Sequence, residues 1–331
     1  MNRSLVRSFW TQVAPLPLCS ADFTGKVVMI TGANRSLGFE AALHFVKLNA
    51  NKVILGCRSF TKGIQSQEKI EKATNKLGVL EVWEVDLGSF SSVQRFCRRA
   101  ARLERLDIVV ENAGLMSSKY ECFEGYERQV TVNIISTWLM ALLLLPVMKQ
   151  TSNAFYKSSE DLPHLTVVSS NGHFYAPFES RKQDSIFESL RGDTNMVLRY
   201  HDTKLISLLF ARAVSDRMRA SNNQLAVVLN IVDPGYCQSE LMRERPFPFP
   251  VNSIMGVLYW VLARTAEMGS RTYVAAASAG IESHGLYLED CGPSTPSAFV
   301  TSREGQRAQD RVFNELINIL ETIEPGVTGG I

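Results

Sequence analysis

Lys26-Val27-Val28-Met29-Ile30-Thr31-Gly32-Ala33-Asn34-Arg35-Ser36-Leu37-Gly38 is the stretch whose reading decides the fold. Its first half is an apolar run between Gly25 and Gly32, as in a parallel strand buried on both faces. An amphipathic helix over 39–48 follows the turn. A strand, a glycine turn and a helix start aim free backbone N–H groups and the positive end of a helix dipole at one point. That arrangement suits a pyrophosphate. Gly32, Arg35, Ser36, Leu37 and Gly38 are therefore candidate phosphate contacts. The next strand, 52–57, ends at Arg58, twenty residues beyond Gly38. A nucleotide-binding unit meets the adenosine ribose at that distance. An acid there would bind a free 2′-hydroxyl, whereas an arginine favours a 2′-phosphate. Arg58, with Arg35 as a second charge, favours NADP(H) over NAD(H). The alternative is that Arg58 is a solvated loop residue.

Outward from this unit, helices and strands keep alternating. A helix over 62–76 closes at Gly78, and a strand over 79–85 ends at Asp86-Leu87. A helix with an Arg-rich outer face covers 90–103. A strand over 107–110 runs into Glu111-Asn112-Ala113-Gly114, whose small residues let backbone lie close to a ribose. A long helix over 124–150 carries Asn133 within an apolar stretch, and a buried Asn needs partners. A bond to a neighbouring strand would satisfy it. The fifth strand covers 165–170 and the sixth 225–232, the latter followed by Asp233-Pro234-Gly235-Tyr236. The intervening 171–199 segment, with three Phe and a Tyr, is long for a plain connection. It is a lid or wall of a site, or else a surface excursion. A stiff Pro/Phe loop at 245–251 precedes helices at 253–264 and 267–277, a last strand at 285–288 and a helix at 302–322.

No repeat or linker interrupts the pattern. We expect one α/β domain of about seven parallel strands over 24–322. An arm (1–23) precedes it and a tail (323–331) follows, with substrate lid segments at 171–199 and 240–265.

In Arg199-Tyr200-His201-Asp202-Thr203-Lys204-Leu205, a Tyr and a Lys four residues apart lie on one helix face. A phenol titrates near pH ~10, and a nearby ammonium lowers that value. The pair suits proton exchange with an alcohol or carbonyl. The motif is common by chance and gains meaning only from its surroundings.

The 331 residues are 45% apolar with a net charge of +2, which gives no reason to expect nucleic acid. Six unpaired-looking cysteines fit a reducing, cytoplasmic setting, and no ligand spacing suggests a metal. The N-terminus lacks a continuous apolar core of a secretory signal. The best apolar run, Trp138 to Met148, is about half a bilayer span, so no transmembrane segment is expected. Its first part, 138–145, is either a buried helix or a homodimer contact.

Four motifs together resemble the short-chain dehydrogenase/reductase family: Thr31-Gly32 to Gly38, Asn112-Ala113-Gly114, Ser170 with Tyr200-x-x-x-Lys204, and Pro234-Gly235. The resemblance covers about residues 24 to 290. Within the family the chain looks most similar to the retinol-dehydrogenase-like branch, especially to members from fungal natural-product pathways. That finer likeness rests on Arg264-Thr265-Ala266-Glu267-Met268-Gly269-Ser270-Arg271-Thr272 and Glu282-Ser283-His284-Gly285.

The resemblance implies a Rossmann-type doubly wound sheet with helices on both faces. It implies that Tyr200 is the acid/base, that Lys204 holds the nicotinamide ribose and lowers the Tyr200 pKa, and that Ser170 bonds the substrate oxygen. Asn133 would support a proton relay. Asp86 and Leu87 would lie near the adenine. Asn112, Ala113 and Gly114 would lie along the ribose, and Pro234, Gly235 and Ser239 at the carboxamide. Two departures stand out: Ser36 replaces the middle glycine of the turn, and Glu111 replaces the usual Asn.

The reading is an NADP(H)-dependent enzyme interconverting carbonyl and alcohol on a bulky apolar molecule, with Phe174, Phe178, Phe247 and Phe249 as candidate walls, although for each of them singly ordinary core or loop packing is the stronger reading. The alternatives are a non-catalytic nucleotide- or partner-binding relative, or non-redox chemistry on the same fold.

Overall fold

The computed structural model describes residues 12, 14–157, 161–192, 195–220, 225–242 and 262–331. Strand β1 (Val27–Thr31) is buried at all five positions. A strand with no polar face must be covered on both sides, which the centre of a parallel sheet provides. It pairs with β2 (Lys52–Cys57) on one side and β4 (Ile108–Glu111) on the other, both in parallel. Beyond β2 lies β3 (Leu80–Glu84). Beyond β4 come β5 (His164–Val168), β6 (Val228–Asp233) and β7 (Tyr287–Glu289). The order is β3-β2-β1-β4-β5-β6-β7, seven parallel strands as expected. A two-residue antiparallel strand, β8 (Gly292–Pro293), extends the far edge and was not expected. The order reverses between β1 and β4, where doubly wound sheets open their ligand crevice.

Two layers of helix cover the sheet. On one face α1 (Ser36–Lys47), α2 (Phe60–Thr74) and α6 (Ala266–Ala276) share an apolar cluster that includes Phe45, Ile70 and Tyr273. On the other, α3 (Phe90–Ala100), α4 (Arg128–Phe155), α5 (Met196–Ala220) and α7 (Arg303–Ile323) form the larger core. Trp138, Phe210 and Phe313 join α4, α5 and α7: the first pair meets edge-on at 4.8 Å and the second stacks at 5.6 Å. Each such side chain contributes roughly 1.5–3 kcal/mol by burial.

The apolar stretch 138–145 is almost wholly inside the chain, and the C-terminal turn Val327–Gly330 packs against it. Of the two readings of that stretch, the buried helix is the one its burial matches. Among the described residues, α4 alone is long and apolar enough to cross a bilayer, and 89% of its most apolar window is buried.

Helix α4 starts later than expected. Glu124 and Gly125 both have positive φ and form the tight turn of a small ribbon, Cys122–Phe123 with Tyr126–Glu127. Glu127 then caps the helix, accepting from the amides of Gln129 and Val130. The turns over Thr131–Ser136 are wound as a π-helix, a distortion that often marks a functional site.

The 171–192 segment is packed on the core at some positions and exposed at others. Phe178 is fully buried against Phe299, held in left-handed backbone (φ 46) by an amide donated to Asp202 at 2.8 Å. It belongs to the core, so its expected place on a substrate wall is not borne out. His173 links the Ser170 carbonyl to the Ser297 amide. The expected helix at 253–264 and the loop carrying Phe247 and Phe249 fall largely or wholly outside the described residues, as does most of the expected 240–265 lid. Arm and tail are docked: Leu16, Phe23 and Val327 are buried.

Glu111 also departs from expectation. It does not serve the turn after β4 but is buried in the sheet, where Thr31 donates to one of its oxygens and the other has no partner. Burial pushes its carboxyl up to about 8. The folded state therefore holds a proton that the unfolded chain releases near pH ~4.3. Stability falls as pH rises from there to about 8 and then levels off. In urea titrations across pH, Glu111→Gln is expected to gain on wild type by roughly 1.4 kcal/mol per unit in that window, with no further gain above it.

Candidate active site

Most of the residues singled out in the sequence lie in the turns after β1, β4, β5 and β6 or on α4 and α5, while Arg58 follows β2 and Asp86-Leu87 follow β3. The turn after β1 has left-handed Gly32 (φ 68) and ends at Gly38, where a Cβ would come within 2.5 Å of the Gly32 carbonyl oxygen. Ser36, standing for the usual glycine, takes the left-handed backbone itself (φ 47). The shape of the turn survives, at a strain of roughly 1–2 kcal/mol. The Ser36 hydroxyl accepts from the Glu240 amide at 3.4 Å, and Arg35 pairs with the Glu240 carboxylate at 2.7 Å. Leu37 is buried. Arg58, at the end of β2, is exposed and has no ion pair among the described residues. Asp86 accepts from the Gly88 amide, while the Leu87 side chain packs into the core.

After β4, Asn112 donates to the Thr31 carbonyl at 2.8 Å and accepts from the Tyr273 hydroxyl at 3.0 Å. The Ala113 amide donates to the Thr31 hydroxyl. Asn133 holds the next residues: it accepts from the Leu115 amide at 2.9 Å and donates to the Leu115 carbonyl at 2.8 Å. It also reaches Thr203 Oγ1 at 3.2 Å. The sequence signal for this Asn was sound, but its partners are a loop and helix α5 rather than a strand.

Tyr200 and Lys204 are both buried on α5. Tyr200 shares a hydrogen bond with Ser170, whose hydroxyl also accepts from the Gly172 amide at 3.1 Å. Ser169 has a buried hydroxyl without a partner, so the second serine of the pair is the one brought to the tyrosine. Lys204 donates to the Val168 carbonyl at 2.8 Å, and its ammonium lies 5.8 Å from the Tyr200 ring centre. Burial pulls Lys204 down to about 8, opposed by the Asp233 carboxylate. Burial pushes the Tyr200 phenol up, and Ser170 is the group that draws it back. Within the protein's own groups, Ser170 therefore acts where a lowering by Lys204 was expected.

A nicotinamide nucleotide fits these residues. A Cβ on Gly114 would come within 3.3 Å of Asn133 Oδ1 and 3.8 Å of Lys204 Nζ, so that glycine leaves the approach to both open. The ammonium has donors beyond its one carbonyl partner, which suits ribose hydroxyls. Pro234 and Gly235 follow β6, where Asp233 accepts from the Gly235 amide and from Tyr287. Ser239 accepts from the Leu241 amide. Sequence reasoning missed Asp233 and Tyr273, which only the polar character of buried positions could have flagged, and the half-buried His201. His201 faces Tyr175 at 6.1 Å, and its Nδ1 has no partner. Phe174, Tyr175 and Leu198 leave apolar surface exposed.

Comparison with known proteins agrees with this geometry. A family model described as short chain dehydrogenase matches residues 26–155. The chain is 40% identical to the short chain dehydrogenase/reductase dmxR8 of Cryptosporiopsis sp. (strain 8999), over 95% of this chain and 96% of that one. It is 42% identical to the short chain dehydrogenase atnD of Emericella nidulans, over 86% and 90%. Its fold resembles the 3-ketoacyl-(acyl-carrier-protein) reductase of Brucella melitensis complexed with NADH. That match has a TM-score of 0.59 and 17% identity and covers 81% of this chain and 97% of the other. With relatives this similar along most of its length, the chain belongs to the short-chain dehydrogenase/reductase family of oxidoreductases.

Proposed function

We propose that the protein interconverts a carbonyl and an alcohol on a bulky apolar small molecule, with NADP(H), in a fungal secondary-metabolite pathway. The observation that carries this reading is the convergence of Asn133, Ser170, Tyr200 and Lys204 beside the Asn112-Ala113-Gly114 turn. Bound there, the nicotinamide supplies or accepts the hydride. Tyr200 gives its proton to the substrate oxygen in reduction and takes one in oxidation. Ser170 bonds the same oxygen and stabilises charge developing on it. Lys204 holds the ribose hydroxyls and keeps a positive charge near the phenol. Asn133 keeps the 115 loop in register with α5 and supports proton supply to Lys204.

Phe174, Tyr175 and Leu198 suit an apolar substrate, since pockets bury most of a ligand against such walls. The two relatives named above come from filamentous fungi, which supports the pathway assignment. Six free cysteines support a reducing, cytoplasmic setting. The case for a non-catalytic relative rested on Ser36, and a serine in the glycine's own backbone conformation weakens it.

The preference for NADP(H) rests on Arg58, because a similar fold holds NADH in the Brucella reductase. In calorimetric titrations Arg58→Ala is expected to weaken NADPH binding about tenfold, one charged hydrogen bond, and to leave NADH binding unchanged. Equal loss for both cofactors would remove the 2′-phosphate assignment. Glu240 competes with phosphate for Arg35. Glu240→Gln should therefore lower the KM for NADPH by about two- to threefold, a modest effect because the pair is exposed. Tyr200→Phe should keep cofactor binding and reduce turnover of ketones and aldehydes by at least ~100-fold. Retained turnover would mean that another group moves the proton.

A further inference from the structure

The stretch Arg264 to Thr272 carries the likeness to one branch of the family but takes no part in the chemistry of the buried quartet. In the structure it meets the N-terminal arm. Gln12 pairs its side-chain amide with both backbone groups of Tyr236. The Tyr236 amide donates to Gln12 Oε1 at 3.1 Å, and Gln12 Nε2 donates to the Tyr236 carbonyl at 2.6 Å. The same nitrogen donates to the Leu262 carbonyl at 3.2 Å. Arg264 is buried here: Nε donates to the Gln12 carbonyl at 3.0 Å, Nη1 to the Pro234 carbonyl at 3.4 Å, and Nη2 pairs with Asp290 at 2.7 Å. Arg271, gripped by Glu267, donates to the Leu16 carbonyl. The arm is thus fixed at two points, each by an arginine of the 264–272 stretch.

Both fixings bear on one turn. Gly235 has φ 79, and a Cβ there would come within 2.8 Å of Arg264 Nη1 and 3.0 Å of Gln12 Oε1. Gln12 and Arg264 therefore cover that side of the Pro234-Gly235-Tyr236 turn. A glycine turn has many shapes open to it, and hydrogen bonds from a distant side chain select one.

We propose that Gln12 is a positioning residue of the nicotinamide site: its amide holds the Pro234-Gly235-Tyr236 turn in the shape that receives the carboxamide, and Arg264 and Arg271 dock the arm that carries it. This rests on the assignment of that turn to the nicotinamide under the proposed function. Coupling is reciprocal, so a nucleotide that requires the fixed turn also tightens the arm.

The test is calorimetric titration of wild type and Gln12→Met with NADPH and NADH, with amide exchange followed at Tyr236. Methionine has a similar length and no amide. Gln12→Met is expected to bind NADPH about tenfold more weakly. Exchange at Tyr236 should speed up, KM for NADPH should rise more than kcat falls, and the melting temperature without nucleotide should hardly move. NADPH should also protect the wild-type arm from proteolysis. A Gln12→Met variant that binds NADPH as tightly as wild type overturns the proposal and leaves the oxidoreductase reading in place. Wild type that binds neither nucleotide overturns both. If Gln12→Met does not fold, Gln12→Asn, whose amide is one methylene too short, takes its place with the same expected loss.

Discussion

The hydrogen bonds between Thr31 and the turn after β4 hold together the point on which the site depends. Asn112 donates to the Thr31 carbonyl, Ala113 donates to the Thr31 hydroxyl, and Tyr273 on α6 closes the set by donating to Asn112. Strand pairing brings β1 and β4 side by side, but pairing alone does not fix the loops that leave them. A half-buried side-chain amide with these bonds made has few low-energy arrangements, and breaking them would leave polar atoms without partners. The turn after β1, the turn after β4 and helix α6 therefore keep their relative positions.

From there the order is carried inward by Asn133. Its amide ties the 115 loop to α5 through Thr203, one residue before Lys204 and three after Tyr200. The π-helical winding of Thr131–Ser136 lies at this position. Helix α5 is in turn held from outside by Asp202, which accepts the Phe178 amide. Tyr200 and Lys204 lie on one face of this helix, and Asp202, two residues from each, lies on the opposite face and ties the helix to the 171–192 segment.

Burial is the main electrostatic fact of the site. It raises the phenol of Tyr200 and lowers the ammonium of Lys204, which at about 8 still leaves the lysine mostly charged at neutral pH. Asp233, kept by Tyr287 and the Gly235 amide, is the charge that works to keep Lys204 protonated. A dry interior also strengthens each remaining dipole, which is why a single hydroxyl from Ser170 is felt at the phenol.

The run Lys26 to Gly38 determined the fold class by itself, because an all-apolar strand, a glycine turn and an amphipathic helix admit few arrangements. The spacing of Tyr200 and Lys204 determined that they share a helix face. Local pattern also placed the ends of most helices to within a few residues. It failed at α4, where positive φ at Glu124 and Gly125 made a hairpin, while Phe178 proved to be core packing rather than a substrate wall. Only the tertiary structure decided what Glu240 does to Arg35 and that an arm residue closes on the turn after β6. The reason is physical. Periodicity and turn chemistry act between neighbours in the chain, whereas these contacts join residues hundreds of positions apart and follow from the packing of complete layers.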